Sequence, residues 1–348
     1  MPTIALALLL VAGAAYAYSG QHQIQLWRAS EGEDATRADA ARELGGEESM
    51  LTNSYVSTYE IVRTFEHDKT KFTQGLVFGD DGTLYESAGL YHKSVVRSVQ
   101  LDVTDGKQKT ISQDANDPHH FAEGLAIKGN KLMQLTWKEK VINEFTVTNG
   151  VVKKTRTVPR LDGGREGWGL ALAPSGDKLY LTDSGADLYT LALEMPGKPD
   201  YSELDRKRIV DPKLTGADGT TAPFGVYGVN EIEMVDGEIW GNVYPMYQGT
   251  HSECIVRINA STAEVIGWID MHGLFAKQEA HVTRNPGSYV LNGIAYHAKS
   301  GRLYVTGKEW DKMYQVRIKE DPSKDAEHVK RVCGLGNINP RRSGRKRG

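Results

Sequence analysis

From about residue 59 to 318, apolar and polar positions alternate in runs of five to eight residues, separated by Gly, Asp, Asn and Ser. Period-two patterning buries one face of each run and predicts short β-strands. No stretch between 56 and 318 carries the spacing of a long amphipathic helix. The chain therefore reads as all-β.

The runs recur in sets. FTQGLVF (72–78), FAEGLAI (121–127), GWGLALA (167–173), VNEIEM (229–234) and LNGIAYH (291–297) each open a unit. Each is followed by a turn and a second run: 83–89, 131–139, 178–185, 238–244 and 302–310. A third run follows at 94–101, 141–147, 187–193, 254–260 and 312–318. A fourth completes the first four units at 107–112, 151–158, 207–210 and 264–270. Five units of four strands predict a five-bladed β-propeller. The last unit lacks its fourth strand, and YEIVRTFEH (59–67) is expected to supply it. An N-terminal strand in that place closes the ring and removes two open sheet edges.

This repeat spans residues 56–320 and is read as one domain. Ahead of it, residues 4–18 are wholly apolar and end in an Ala15-x-Ala17 pattern, so 1–18 is read as a signal peptide or signal anchor. At 15 residues the apolar run is short of the ~20 that span a bilayer. Residues 19–55 are polar and acidic and read as a stalk, with one short helix around 36–44. The tail, 321–348, ends in the basic PRRSGRKRG and is expected to be disordered there. This arrangement places the protein in the secretory pathway, secreted or anchored through 4–18 with the propeller on the lumenal or extracellular side. Asn259-Ala260-Ser261 is a glycosylation sequon between two strand-like runs. Cys254 and Cys333 fit either one disulfide or two free thiols.

Composition narrows the function. A net charge of −3 gives no whole-chain attraction to nucleic acid. The 37 glycines against 12 prolines suit many tight turns.

First strands of propeller blades line the central channel, so equivalent positions converge. Aligning the units brings together Gln74, Glu123, Trp168, Asn230 and Asn292. An apolar Leu or Ile recurs two residues later, which strand alternation would put on the same side of the pleat. The polar set is therefore expected nearer the channel mouth. The second strands align Ser87, Thr136, Thr182, Asn242 and Thr306, with Trp137, Lys138, Asp183, Tyr244 and Lys308 beyond them. An acid, amides, a lysine and aromatics at one mouth predict a pocket for a small polar ligand with an apolar stem.

Seven segments, in order, resemble the plant-type glutaminyl cyclases (glutaminyl-peptide cyclotransferases). They are FTQGL; ESAGLY with SVVR; FAEGL with TWK; GWGL with LYLTDSG; NEIE with NVY; CIVRI with GWID; and VLNGIAY with RLYVTGK. They cover about 59–318. The resemblance implies a five-bladed propeller that cyclises the N-terminal glutamine of peptides or proteins to pyroglutamate, releasing ammonia. It puts the first motif's aromatic and amide on Phe72 and Gln74 and the essential carboxylate on Glu123. The pocket tryptophans fall on Trp137 and Trp168, the asparagine on Asn230 and the lysine on Lys308. Tyr244 departs from the family's usual Trp, which bears on pocket shape, and the segments 245–253 and 275–288 look longer than usual.

The expected chemistry is intramolecular aminolysis. Glu123 shuttles the proton, and Lys308, Gln74 and Asn230 donate to the oxygen that gains charge. Phe72, Trp137, Trp168, Tyr244 and Asn292 hold the substrate. A lysine near Glu123 would lower its pKa and burial would raise it, a balance the residues alone leave open. No cofactor is required by this scheme. The histidines show neither HxxxH nor HExxH spacing, though converging carbonyls in the channel could hold a structural ion. A monomer is expected. The alternatives are a metal-dependent propeller lactonase or esterase and a non-catalytic binding propeller.

Overall fold

The computed structural model describes residues 50–215, 223–246 and 251–335. The signal or anchor segment, the stalk up to residue 49 with its expected helix, and the basic end of the tail lie outside the described residues. Among the described residues no helix is long and apolar enough to cross a membrane.

The chain is all-β. After β1 (Val56–Glu66) come four-stranded antiparallel groups. The first is β2 (Thr73–Phe78), β3 (Leu84–Ala88), β4 (Val95–Leu101) and β5 (Gln108–Ala115). The second is β6 (Ala122–Lys128), β7 (Lys131–Thr136), β8 (Val141–Thr148) and β9 (Val151–Pro159). The third is β10 (Leu170–Leu172), β11 (Lys178–Thr182), β12 (Asp187–Ala192) and β13 (Glu203–Arg208). A small pair, β14 (Val210–Asp211) and β15 (Phe224–Gly225), intervenes. The fourth group is β16 (Val229–Val235), β17 (Glu238–Val243), β18 (Cys254–Asn259) and β19 (Val265–Asp270). Last come β20 (Leu291–His297), β21 (Arg302–Gly307) and β22 (Lys312–Glu320).

β1 supplies the missing strand. It runs antiparallel to β22 from Ser57 opposite Glu320 to Glu66 opposite Lys312. Val56 and Ser57 also pair in parallel with Trp268 and Ile269 of β19, which joins the last two groups into one eight-stranded sheet.

The inner strands touch in a cycle: β2 packs on β6, β6 on β10, β10 on β16, β16 on β20 and β20 on β2. Apolar clusters seal each join. Val77 and Val96 meet Leu125 and Phe145; Ala126 and Met133 meet Leu170 and Leu179. Ala171 and Leu188 meet Ile232 and Val256; Trp240 and Ile255 meet Leu303 and Tyr314. Leu76 and Leu84 meet Ala295 and Tyr304, and the circuit ends where it began. Inner strands are thus buried on both faces, as the unbroken burial along β2, β3 and β6 requires. Outer strands such as β5 and β9 are half-exposed and carry the lysines and arginines. The architecture is propeller-like.

The first described residues pack against the fourth group and Asp211. Trp268 donates its backbone N–H to Tyr55 O, Tyr55 Oη donates to Asp211 Oδ2, and Arg257 binds Thr52. The segment 275–288 carries a 3-10 turn (Phe275–Lys277) and a short α-helix, α1 (Ala280–Thr283). Helix α2 (Ala326–Val332) is capped by Asp325, which accepts from the His328 N–H, and Lys330 and Arg331 sit in its last turn. Cys333 at its end is disulfide-bonded to Cys254, which resolves the two readings of the cysteines.

Candidate functional site

The polar residues of the inner strands occupy β-bulges. In β2 the register passes from Thr73–Ala88 to Gly75–Ser87, leaving Gln74 extra. The ladder skips the same way between Ala122 and Leu125, around Glu123, and between Val229 and Ile232, around Asn230. It skips again between Leu291 and Ile294, around Asn292. Trp168 lies just ahead of β10 and donates its N–H to Thr182 O. A bulge inserts a residue and re-aims its side chain. This corrects the expectation that the polar position and the Leu or Ile two residues on share one side of the pleat. The pleat is reset between them, so the apolar residue enters the core while the polar one is freed from it.

The second-strand polar set buttresses these bulges instead of lining the pocket as a parallel row. Ser87 Oγ donates to Glu123 O at 2.5 Å, and Thr182 Oγ1 donates to Asn230 O at 2.9 Å. Asn242 Oδ1 accepts the Gly293 N–H at 2.9 Å. Each of these reaches from one group to the next. Thr136 and Thr306 close their own hairpins, to Val141 O and Lys312 O. Asp183 accepts from Tyr189 Oη and the Gly185 N–H and serves its turn. Lys138 lies outside on the Trp137 ring, at 3.5 Å.

The rings form an arc. Trp137 packs on Phe121 (5.4 Å between centroids), and Phe121 meets Phe72 edge-on (6.2 Å). Lys308 Nζ stands 5.0 Å from the Phe72 centroid and 5.1 Å from that of Tyr244, within cation–π reach of both. Tyr244 meets Trp168 edge-on at 5.8 Å. The Tyr244 hydroxyl, the group that sets it apart from Trp, donates to Gly287 O at 3.2 Å and so holds the 275–288 segment.

Polar groups fill the remaining wall. Asn292 Nδ2 donates to Gln74 Oε1 at 3.0 Å and to Thr73 O at 2.9 Å. That bond uses the Gln74 oxygen and leaves its amide N–H groups for another acceptor. Asn230 Oδ1, Asn292 Oδ1 and Glu123 Oε2 are buried without a hydrogen-bond partner. Unpaired buried polar atoms are costly and point to a ligand that pairs them.

Electrostatics settle the balance left open by the residues. Burial pushes the Glu123 carboxyl well above the usual range; the Lys308 ammonium pulls it down, and Glu166 and Glu139 push it up. Burial wins. The same burial lowers Lys308 to about 8, against the pull of Glu123. The acid and the amine thus lie in each other's field, and the same burial raises the one and lowers the other. Phe121, Glu139 and Glu166 are parts of this setting that the repeat alignment did not single out. Phe121 was legible, since it stands where Phe72 does in its own FTQGL-like motif. Among the described residues no three His, Cys, Asp or Glu side chains are grouped to hold a metal ion.

The fold and this setting define an all-β, propeller-like domain whose inner-strand bulges set amides and a buried acid beside a buried amine and a cluster of aromatic rings. The family model for glutamine cyclotransferases matches residues 36–318, and the chain belongs to that family. A glutaminyl-peptide cyclotransferase of Arabidopsis thaliana is 32% identical over 287 residues, which cover 82% of this chain and 79% of that protein. The crystal structure of Myxococcus xanthus glutaminyl cyclase superposes with a TM-score of 0.61 at 29% identity, covering 76% of this chain and 98% of that one. The family expected from the ordered segments is the family found.

Proposed function

We propose that this chain converts the N-terminal glutamine of peptides or proteins to pyroglutamate and ammonia on a five-bladed propeller, with β1 completing the fifth blade. The observation that carries the mechanism is a buried carboxyl with an unpaired oxygen, Glu123, set in the field of Lys308 beside a ring of aromatics.

The substrate's α-amine nitrogen attacks its own γ-amide carbon. A C–N bond forms, the former carbonyl oxygen takes up negative charge, and the C–NH₂ bond then breaks. Glu123 accepts the proton leaving the α-amine and delivers it to the departing nitrogen, so ammonia leaves neutral and the carboxylate is restored. A raised pKa suits both halves of that transfer. Lys308, the Gln74 amide and the Asn230 amide donate to the developing oxyanion. Phe72, Trp137, Trp168 and Tyr244, with Asn292 on Gln74, hold the glutamine folded, which is proximity catalysis. The rings also keep out the water that would hydrolyse the amide to glutamate. This scheme draws its electrophilic assistance from Lys308 and needs no zinc.

A secretory location, with residues 4–18 as signal or anchor, goes with this reading. The Cys254–Cys333 disulfide supports it, because such bonds persist in oxidising compartments. The test is mass spectrometry of a Gln-initiated peptide incubated with the protein and a chelator. Chelator-resistant loss of one ammonia is expected, and Glu123→Gln should lower kcat by about 10²–10⁴-fold. A folded Glu123→Gln protein with undiminished turnover would reject the shuttle. Chelator-sensitive turnover would reject the metal-free scheme.

A further inference from the structure

Four of the five inner-strand motifs place glycine after the aligned residue (Gln74, Glu123, Trp168 and Asn292): Gly75, Gly124, Gly169 and Gly293. The fourth motif has Glu231 there. At Gly75, Gly124 and Gly169 the next inner strand comes so close that an added Cβ would lie 2.6, 2.5 and 2.2 Å from its backbone. The join from β16 to β20 is made differently. Glu231, 1% exposed, accepts the Ile294 N–H on Oε2 at 2.9 Å and reaches the Leu76 N–H with Oε1 at 3.4 Å. One carboxyl thus ties β16 to both β20 and β2.

Those two amides have a particular place. Leu76 lies two residues after Gln74, at the second rung beyond its bulge, and Ile294 two residues after Asn292, at the first rung beyond its own. Gln74 and Asn292 are themselves bonded to each other. Asn230 is Glu231's chain neighbour in the third bulge involved. We propose that Glu231 is a positioning residue that fixes the Gln74, Asn230 and Asn292 bulges as one unit and so aligns the amide donors for cyclisation.

The inference rests on the cyclase reading and adds to it a residue that does not touch substrate. Burial and the neighbouring Glu233 push the Glu231 carboxyl well above the usual range, while the Ile294 and Leu76 N–H groups pull it down, so its hold on the two strands is that of a buried acceptor whose loss is costly. A bulge has lost ladder bonds at its own position, so the rungs just beyond it decide where its side chain points. Removing the carboxyl leaves the Ile294 and Leu76 amides buried without an acceptor.

Two variants test this, with kcat and KM for a Gln-initiated peptide and the thermal midpoint as readouts. Glu231→Gly installs the residue that the other four motifs carry. Glu231→Gln keeps one acceptor oxygen but sets an amide N–H against the second donor. Misaligned donors weaken the transition state more than the ground state. The expected result is kcat reduced 10-fold or more in Glu231→Gly with KM changed less than 3-fold, and partial recovery of kcat in Glu231→Gln. If Glu231→Gly does not fold, Glu231→Gln decides alone: kcat several-fold below wild type with KM nearly unchanged supports the inference. Wild-type kcat in either folded variant overturns it, as does a rise in KM at constant kcat. Absence of turnover by the wild-type protein overturns the cyclase reading instead, and with it this one.

Discussion

Lys308 is the residue whose charge state is most exposed to experiment. Burial brings it down to about 8, while a free substrate α-amine titrates near ~7.7–8.0. The two requirements oppose each other. The α-amine must lose its proton to attack, so activity rises with pH through that range. The ammonium of Lys308 must keep its proton to assist the oxyanion, so activity falls as pH rises past about 8. The expected kcat/KM profile is a narrow bell with its alkaline limb near 8 rather than above 10. In Lys308→Arg the guanidinium keeps its proton beyond pH 12, so the alkaline limb should move up even if the larger head group lowers the maximum. An alkaline limb that stays in place would assign it to another group. Glu123, Lys308 and the bulge residues were legible from the repeat alone, because equivalent positions in a ring converge. Glu231 was equally visible as the one motif without glycine. Its role was not, since only the paired backbone shows which amides it reaches.

At the scale of the element, the first blade stands on a buried charge cluster behind Gln74. Glu86 of β3 takes Arg97 of β4 through Oε2 at 2.7 and 2.5 Å, and Thr73 and His67 through Oε1 at 2.7 and 3.1 Å. Burial alone would raise the Glu86 carboxyl, but Arg97, His67 and Thr73 together hold it far below the usual range. Its contribution to stability is therefore present above the ordinary carboxylate pKa and is lost as pH falls toward the lowered folded value. Removing one partner of such a pair costs about 3–5 kcal/mol, whereas replacing both with apolar residues is often neutral. Arg97→Met should lower Tm by roughly 5–15 °C, and Arg97→Met combined with Glu86→Leu should recover most of it. Calorimetry of the two proteins decides; a double variant no more stable than the single one would remove the cluster from this role. The strands themselves were legible within a few residues, because alternation and turn chemistry are local. The bulges were not, since register is a relation between two strands. Nor was the small pair β14–β15, whose residues show no alternation to read.

At the scale of the whole molecule the ring depends on a strand from the wrong end of the chain. β1 makes nine pairings with β22, and its first residues also pair with β19. Phe65 at its far end is 1% exposed in the cluster that joins the last group to the first. Its place was foreseen by counting, since four complete units and one short unit leave a single vacancy. The physical reason is edge chemistry: without β1, the free sides of β22 and β19 present unpaired N–H and C=O groups to solvent and to other copies. Closure also joins distant parts of the sequence, so little of the ring is stable until the ends meet. A chain lacking residues 1–66 should therefore lose cooperative unfolding and aggregate. A chain beginning at Met50 keeps β1 and the contacts of Tyr55 and Thr52, and should melt as the full chain does. Denaturant titration and size-exclusion chromatography on the two proteins separate these outcomes. If the chain lacking β1 unfolds cooperatively at the same denaturant midpoint, the N-terminal strand is an ornament on an already closed ring. If it collapses while the Met50 chain does not, then Gln74, Asn292 and Lys308 are held in one pocket by a strand that contributes no atom to it.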